Sequence, residues 1–480
     1  MLGPIQTHRQ YQVTSQHLWQ LIPKEFQAPY QSYFDLFQHL DLDPCHPLIK
    51  PLYATTGRPS LFQIQCLRSM ILAVALNIPF PQLTHQLKLN RPFWIIAGFQ
   101  QPDEVPSVGA FYDFMRRYCP VRENKDTVTQ PHHIPSRPGK GRKLVPRRQN
   151  VVKQLIHRFQ QRPTKHFFEK GPEKTLQRLF HLIAVQQSKA IGLLSDKLIV
   201  SGDGTCIPSH ATPYSRKQCH CQHKKSCSHT GRLTDPNARW GYDSSKDVFF
   251  YGYMGYFLCT YQAELKKDLP LYFRLVEAQR HDSVSAVVAL YEFAYLSPST
   301  QLTHFLADAA HDNYAFYEWL DTRKVLPLIP LNVKKKGHRT PNKAVVTFSE
   351  DGTPYCLGEP MRYNGYMKDR RRHKWRCAIC SSAPRQREHP DHHCSDSAYG
   401  RVVYTKSEDD PRLYPAIARQ SKTWQTRYNE RTSVERLNKT VMIDDGLEKS
   451  NIRSKIQIYW HLFASFVLIH LKAQIEFMNN

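Results

Sequence analysis

Apolar residues return at helical spacing through the first quarter of the chain. Over 61–76 they recur every three or four positions, and Gly57-Arg58-Pro59-Ser60 just before them supplies a turn and a cap. Residues 80–98 predict one or two more helices, and Val105-Pro106-Ser107 opens another that ends near Tyr118. No alternating pattern interrupts this region, so an all-α N-terminal domain is expected over 1–125. From 127 to 150 the periodicity is lost. Pro131, Pro135, Pro138, Gly139, Gly141 and Pro146 predict irregular, exposed chain there.

A different pattern follows a helix predicted over 173–194. Residues 198–201, 248–258 and 271–276 read as strands, rich in branched and aromatic side chains. An amphipathic helix over 283–295, a strand over 303–307, a helix over 314–322 and a strand over 325–331 complete the run. Strands alternating with helices predict an α/β fold, a mixed and partly parallel sheet flanked by helices. After Asn332 the pattern breaks, and regular helix returns over 422–442 and 454–478. The expected division is a helical domain (1–125), a basic linker (126–172), the first part of an α/β domain (173–331), an inserted basic Cys/His subdomain (332–421) and helices completing the α/β domain (422–480).

Composition narrows the function. Of 480 residues, 41% are hydrophobic and 22% charged, a globular balance with material for a sizeable core. A net charge of +25 and a pI near 9.5 point to a polyanionic partner, DNA or RNA. The apolar run at 462–471 falls far short of the roughly 20 residues needed to span a bilayer. No basic start with an apolar run follows Met1, so a cytoplasmic protein is expected. Arg137, Lys140, Arg142, Lys143, Arg147 and Arg148 crowd the irregular stretch, with no acid between Asp126 and Glu169. This is either a solvated linker or an arm laid along a DNA backbone, with Lys140, Arg142, Arg147 and Arg148 as the contacts.

Three acids carry candidate chemistry. Asp203, in Ser-Gly-Asp-Gly-Thr, is placed just past the first strand, and Asp308, in Ala-Asp-Ala-Ala-His-Asp, at the end of another. Carboxylates at strand ends of open sheets commonly point into clefts, although turns and caps favour Asp as well. Glu435 lies on the helix after the insertion, sharing one face with Tyr428, Arg431 and Lys439, with Arg436 beside it. Alone, that face fits a solvated helix laced by salt bridges. Beside other carboxylates it fits a metal ligand flanked by cations that grip phosphate. Such a set suits Mg²⁺ (or Mn²⁺), and two ions roughly 4 Å apart can stabilise both oxygens of an in-line displacement.

These segments resemble the DDE transposases of bacterial insertion sequences. Asp203-Gly204-Thr205 is similar to that family's first catalytic segment, and Ala307-Asp308-Ala309-Ala310-His311-Asp312 to its second. Asp235-Pro236-Asn237-Ala238-Arg239-Trp240-Gly241-Tyr242 and Phe250-Tyr251-Gly252-Tyr253 resemble the segment before the second strand. Tyr428-x2-Arg431-x3-Glu435 resembles its signature helix, and Gly57-Arg58-Pro59 and Val105-Pro106-Ser107 its helical N-terminal domain. In many members a Lys follows the Glu by seven positions. Here Met442 stands there, and Lys439 is the nearest candidate. The resemblance implies an RNase H-like catalytic domain, with residues 332–421 as an insertion. It implies metal-dependent cleavage at terminal inverted repeats, strand transfer into target DNA, synapsis by a homodimer, and a bacterial, nucleoid-associated location. A related RNase H-like nuclease and a transposon-derived DNA-binding protein without catalysis are the alternatives. The intact acids weigh against the second.

The 12 cysteines cluster. Cys219-His220-Cys221-x-His223 is followed closely by Cys227 and His229, and Cys377-x2-Cys380 is followed by Cys394 and preceded by Cys356. Four thiolates, or thiolates with His389, His392 or His393 in place of Cys356, suit tetrahedral Zn²⁺. Buried thiols in a small β subdomain fit the second group as well. Lys368, Arg370, Arg371, Arg372, Lys374 and Arg376 lead into Cys377, and Lys334, Lys335, Lys336 and Arg339 open the insertion. Tyr363, Tyr366 and Trp375 interleave, the composition of a DNA-facing surface or of a solvated hairpin.

Overall fold

In a computed structural model of the protein the described residues are 1–122, 151–214, 216–217, 231–332, 346–380, 394–397 and 400–480. The arm with Lys140, Arg142, Arg147 and Arg148, the Cys/His cluster at 219–229, the basic residues 334–339, and His389, His392 and His393 lie outside them.

A six-stranded mixed sheet forms the centre. Its strands are β1 (Lys197–Pro208), β2 (Arg239–Asp243), β3 (Val248–Gln262), β4 (Lys267–Glu277), β5 (Gln301–Leu306) and β6 (Leu326–Leu328). β1 runs antiparallel to β3 on one edge and parallel to β5 on the other, and β5 pairs in parallel with β6. β2 and β4 share the far edge of β3, the first along Val248–Gly252 and the second along Tyr253–Gln262. Aromatic and branched side chains make β3 buried on both faces, as a central strand must be. Three antiparallel strands continued by parallel ones are the RNase H-like order that the resemblance implies. β2 escapes the sequence reading because Arg-Trp-Gly-Tyr-Asp is short and holds a Gly and an Asp.

The N-terminal region is helical as expected: α1 (His8–Gln20), α2 (Gln31–Gln38), α3 (Gln63–Ala75), α4 (Phe80–Leu89), α5 (Arg91–Ala97) and α6 (Val108–Tyr118) are its main helices. Thr7 and Gln10 close a capping box on α1, and Ser107 caps α6. Among the described residues no single helix is long and apolar enough to cross a membrane.

Two boundaries differ from expectation. The reading of 126–172 as linker ends early, because α7 (Val151–Gln161) is a packed helix. Val152, Ile156 and Phe159 recur on one face, and Phe159 stacks on Tyr291 of α9 (Asp282–Leu296) at 4.4 Å. α8 (Lys174–Phe180) continues through a π-helical stretch, His181–Gln186, to Ala190. α10 (Tyr314–Thr322), α11 (Lys422–Tyr428), α12 (Thr432–Lys439) and α13 (Lys455–Asn479) complete the helices. The N-terminal helices are not a separate body either. α13 lies against both α3 and β4, Trp460 donates to the Met115 carbonyl at 3.2 Å, and one core runs from Trp19 to Ala473.

The insertion carries two small antiparallel sheets. β7 (Val346–Phe348), β8 (Pro354–Cys356) and β9 (Glu359–Pro360) form one, and β10 (Arg362–Met367), β11 (Arg372–Arg376) and β12 (Val402–Lys406) the other. The returning chain docks through arginines. Arg412 grips buried Asp312 with two hydrogen bonds of 2.6 and 2.7 Å, and Arg419 donates to the Ile329 carbonyl and the Tyr317 hydroxyl.

Candidate active site

Asp203 is not past the end of its strand. β1 continues to Pro208, and Asp203 sits in the ladder opposite Phe257. The flanking glycines suggest a turn in sequence, but in the fold they serve close approach within the sheet. A Cβ on Gly202 would lie 2.6 Å from the Tyr256 hydroxyl and 2.8 Å from the Phe305 ring, and one on Gly204 would overlap the Asp282 carboxylate. β5 pairs with β1 only as far as Ser201, so Asp203 lies beyond the end of that parallel neighbour. The edge left open there is where Asp308 enters.

Asp308 follows β5 directly, as the sequence predicts, and caps a 3₁₀ turn, Ala309–His311, by accepting from the Ala310 amide at 3.1 Å. His311 is fully buried. Its Nδ1 lies 2.7 Å from Asp308 Oδ1 and its Nε2 lies 2.9 Å from the Tyr256 hydroxyl. With Tyr256 donating to Nε2, the Nδ1 proton points at Asp308 and fixes the carboxylate.

The third carboxylate arrives on α12. Ser433 donates to the Ser201 hydroxyl at 3.1 Å, which ties this helix to β1. Arg431 then reaches two acids, with Nη1 2.6 Å from Glu435 Oε1 and Nη2 3.9 Å from Asp203 Oδ2. Tyr428 stacks on Trp424 at 4.5 Å one turn earlier. Lys439 is exposed one turn beyond Glu435. Arg436 turns the other way and forms a two-pronged ion pair with Asp268 of β4, at 2.6 and 2.7 Å. After Lys439 the helix widens into a π turn, Thr440–Asp444, and Met442 packs against the core.

Electrostatics set the acids of the site apart from one another. Burial pushes the Asp203 carboxyl up to about 7 and the charges of Asp308 and Asp282 add to this, while Arg431 opposes it. Burial also raises Asp308, but the His311 hydrogen bond and charge, Arg431 and the Ala310 amide together hold it below its ordinary value. Asp282, the first residue of α9, is raised by burial and by Asp308, and its Oδ1 is buried without a hydrogen-bond partner. Asp282 escapes the sequence reading because an Asp opening a helix looks like a charge on the helix dipole. The signal that finds it is the pair Gly204 and Asp282, visible only once β1 and α9 meet.

Oxygen donors from three separate elements, facing a single guanidinium, fit a hard divalent cation. They are not drawn tightly together. Among the described residues the one set of three His, Cys, Asp or Glu ligand atoms within 4.8 Å of one another is Cys356, Cys377 and Cys394. Cys380 lies beside that set, with its Sγ 3.2 Å from Cys394 Sγ.

Residues 195–470 match the family model described as transposase DDE domain, and residues 21–117 match that described as transposase domain (DUF772). No curated protein sequence matches the chain. The first match spans more than half of the sequence and contains all three acids and the central sheet, so the chain belongs to the DDE transposase family.

Proposed function

We propose that this transposase cuts DNA at the terminal inverted repeats of an insertion sequence and joins the freed ends to target DNA. In this reading two divalent ions, Mg²⁺ (or Mn²⁺), are held by Asp203, Asp308 and Glu435. The observation that carries it is the meeting of Asp203 and Glu435 on one guanidinium, Arg431. Bound there, the ions would activate a water or a 3′-hydroxyl and stabilise the leaving oxygen of an in-line displacement.

The chain's own residues supply position and charge. His311 fixes the Asp308 carboxylate, and Tyr256 fixes His311. Arg431 presents a planar donor set suited to phosphate oxygens, with the Tyr428 hydroxyl and the Lys439 ammonium on the same helical face. Arg436, read from sequence as another phosphate contact, is committed to Asp268 and serves to seat α12. Lys140, Arg142, Arg147 and Arg148 form an arm along the DNA backbone, the N-terminal helices bind the element end, and a homodimer brings two ends together.

The test is cleavage of DNA bearing the element ends, with Mg²⁺ or Mn²⁺ present. Asp203→Asn, Asp308→Asn and Glu435→Gln each reduce cleavage to background and weaken Mn²⁺ binding followed by electron paramagnetic resonance, while gel-shift affinity for the ends is kept. Cleavage surviving in all three variants overturns the site. Ends that are cut but never joined to target DNA return the protein to the plain nuclease reading.

A further inference from the structure

Among the described residues the insertion has almost no core of its own. Its buried apolar cluster consists of Cys356, Met361, Trp375, Cys377 and Cys394, so three of five core residues are cysteines. Two three-stranded sheets with so little apolar burial need a staple. The thiols are placed to provide one. Cys356 ends β8, Cys377 follows β11, Cys380 comes three residues later, and Cys394 precedes β12. The chain thus brings three sulfurs into one place and sets the fourth against Cys394.

Their spacing suits a metal rather than a disulfide. Three Sγ atoms lie within 4.8 Å of one another and the fourth lies 3.2 Å from Cys394 Sγ. A disulfide needs about 2.05 Å. A tetrahedron of thiolates at about 2.3 Å from zinc has edges of about 3.8 Å, inside the observed range. The backbone around the sulfurs is braced. The Cys377 amide donates to the Arg401 carbonyl at 2.9 Å, and Arg401 Nε donates to the Cys394 carbonyl at 2.7 Å. Gly400 has φ +71°, and a Cβ there would overlap that of Cys380, so the fourth thiol closes in only against glycine.

We infer that Cys356, Cys377, Cys380 and Cys394 bind one zinc ion as a four-thiolate structural site. The ion clamps the β8–β9 hairpin to the β10–β12 sheet. Binding displaces protons from the four sulfurs, and the site keeps no open position for chemistry. The clamp also fixes the β10–β11 hairpin, whose tip carries Lys368, Arg370 and Arg371 beside the catalytic sheet, where Arg371 reaches Asp321 of α10 at 3.4 Å. This site is independent of the reading of the acids.

The test uses the full chain, purified without added metal and then reconstituted with Co²⁺. A variant with Cys219, Cys221 and Cys227 all changed to Ser removes the other cysteine cluster from the count. The expected result is one zinc per chain in that variant and, after exchange, the visible bands of tetrahedral four-thiolate cobalt. Cys380→Ser, at the least buried of the four, loses the metal, and Cys380→His keeps it with shifted cobalt bands. Absence of zinc from the triple variant overturns the inference. So do cobalt spectra without thiolate bands, or unreduced peptides that link these four cysteines as disulfides.

Discussion

The carboxylate of Asp282 occupies the space that a side chain on Gly204 would need. Side chains alternate across a strand, so Asp203 projects from one face of β1 while Asp282 presses on the next residue from the other. Changing Gly204 to Ala forces the two apart, at a loss of about 1–3 kcal/mol in stability. Asp282→Ala removes the obstacle. In a urea-unfolding cycle the double variant recovers about 1 kcal/mol or more relative to the sum of the singles. Additive effects would mean that the two residues do not touch.

His311 is fully buried and holds Asp308 through one nitrogen and Tyr256 through the other. Partners of this kind typically change metal affinity or activity by about 10- to 100-fold. His311→Ala should lower cleavage by that factor and raise the Mn²⁺ concentration needed for half-maximal rate, and Tyr256→Phe should do so more weakly. Equal metal dependence in wild type and His311→Ala would reduce the histidine to core packing.

The two cations beside Glu435 are separable. Lys439 is exposed, whereas Arg436 is tied to Asp268. Lys439→Ala should weaken binding to DNA of any sequence and reduce the salt slope by about 1. Arg436→Ala should leave that slope unchanged and lower the unfolding midpoint instead. Alanine at Lys140, Arg142, Arg147 and Arg148 together should flatten the slope by about 3 to 4, and an unchanged slope would make that stretch a plain linker.

Stability should fall on mild acidification. His470 is fully buried, its Nε2 2.6 Å from the Pro270 carbonyl and its Nδ1 2.8 Å from the Ser188 hydroxyl, which also accepts from Gln474. Burial pulls its pKa down to about 4, and a neutral ring satisfies every partner. The unfolded chain takes up this proton near 6.5, the folded chain only near 4. The contribution is therefore complete above 6.5 and is lost as pH drops towards 4, about 3 kcal/mol at most. Urea midpoints measured from pH 7.5 to 4.5 should drop for wild type and drop less steeply for His470→Gln. Equal steepness in the two proteins would assign the acid sensitivity to other groups.

Periodicity made the helices of the first 120 residues legible, as well as β3, β5 and α10, because one buried face leaves a regular trace in sequence. Asp308 was equally plain, since a strand ended where it stood. Asp203 lies within its strand rather than just past it. Gly-Asp-Gly has the composition of a turn, and only the crowding by Tyr256, Phe305 and Asp282 shows why glycine is needed inside a ladder. Arg436 was read as a free cation because Asp268 lies 168 residues away in sequence. Asp282 was missed for the same reason. What sequence hides here is the partner, not the residue.

The core that joins α13 to α3 has a consequence for the order of synthesis. Residues 455–479 fill a groove between helices made near the start of the chain and the β4 edge of the sheet. A nascent chain leaves the ribosome at roughly 5–20 residues per second, and until its last helix emerges these surfaces have no cover. α12 likewise reaches β1, through Ser433 and Ser201, only after most of the chain exists. A chain interrupted before α13 is made thus lacks its closed core.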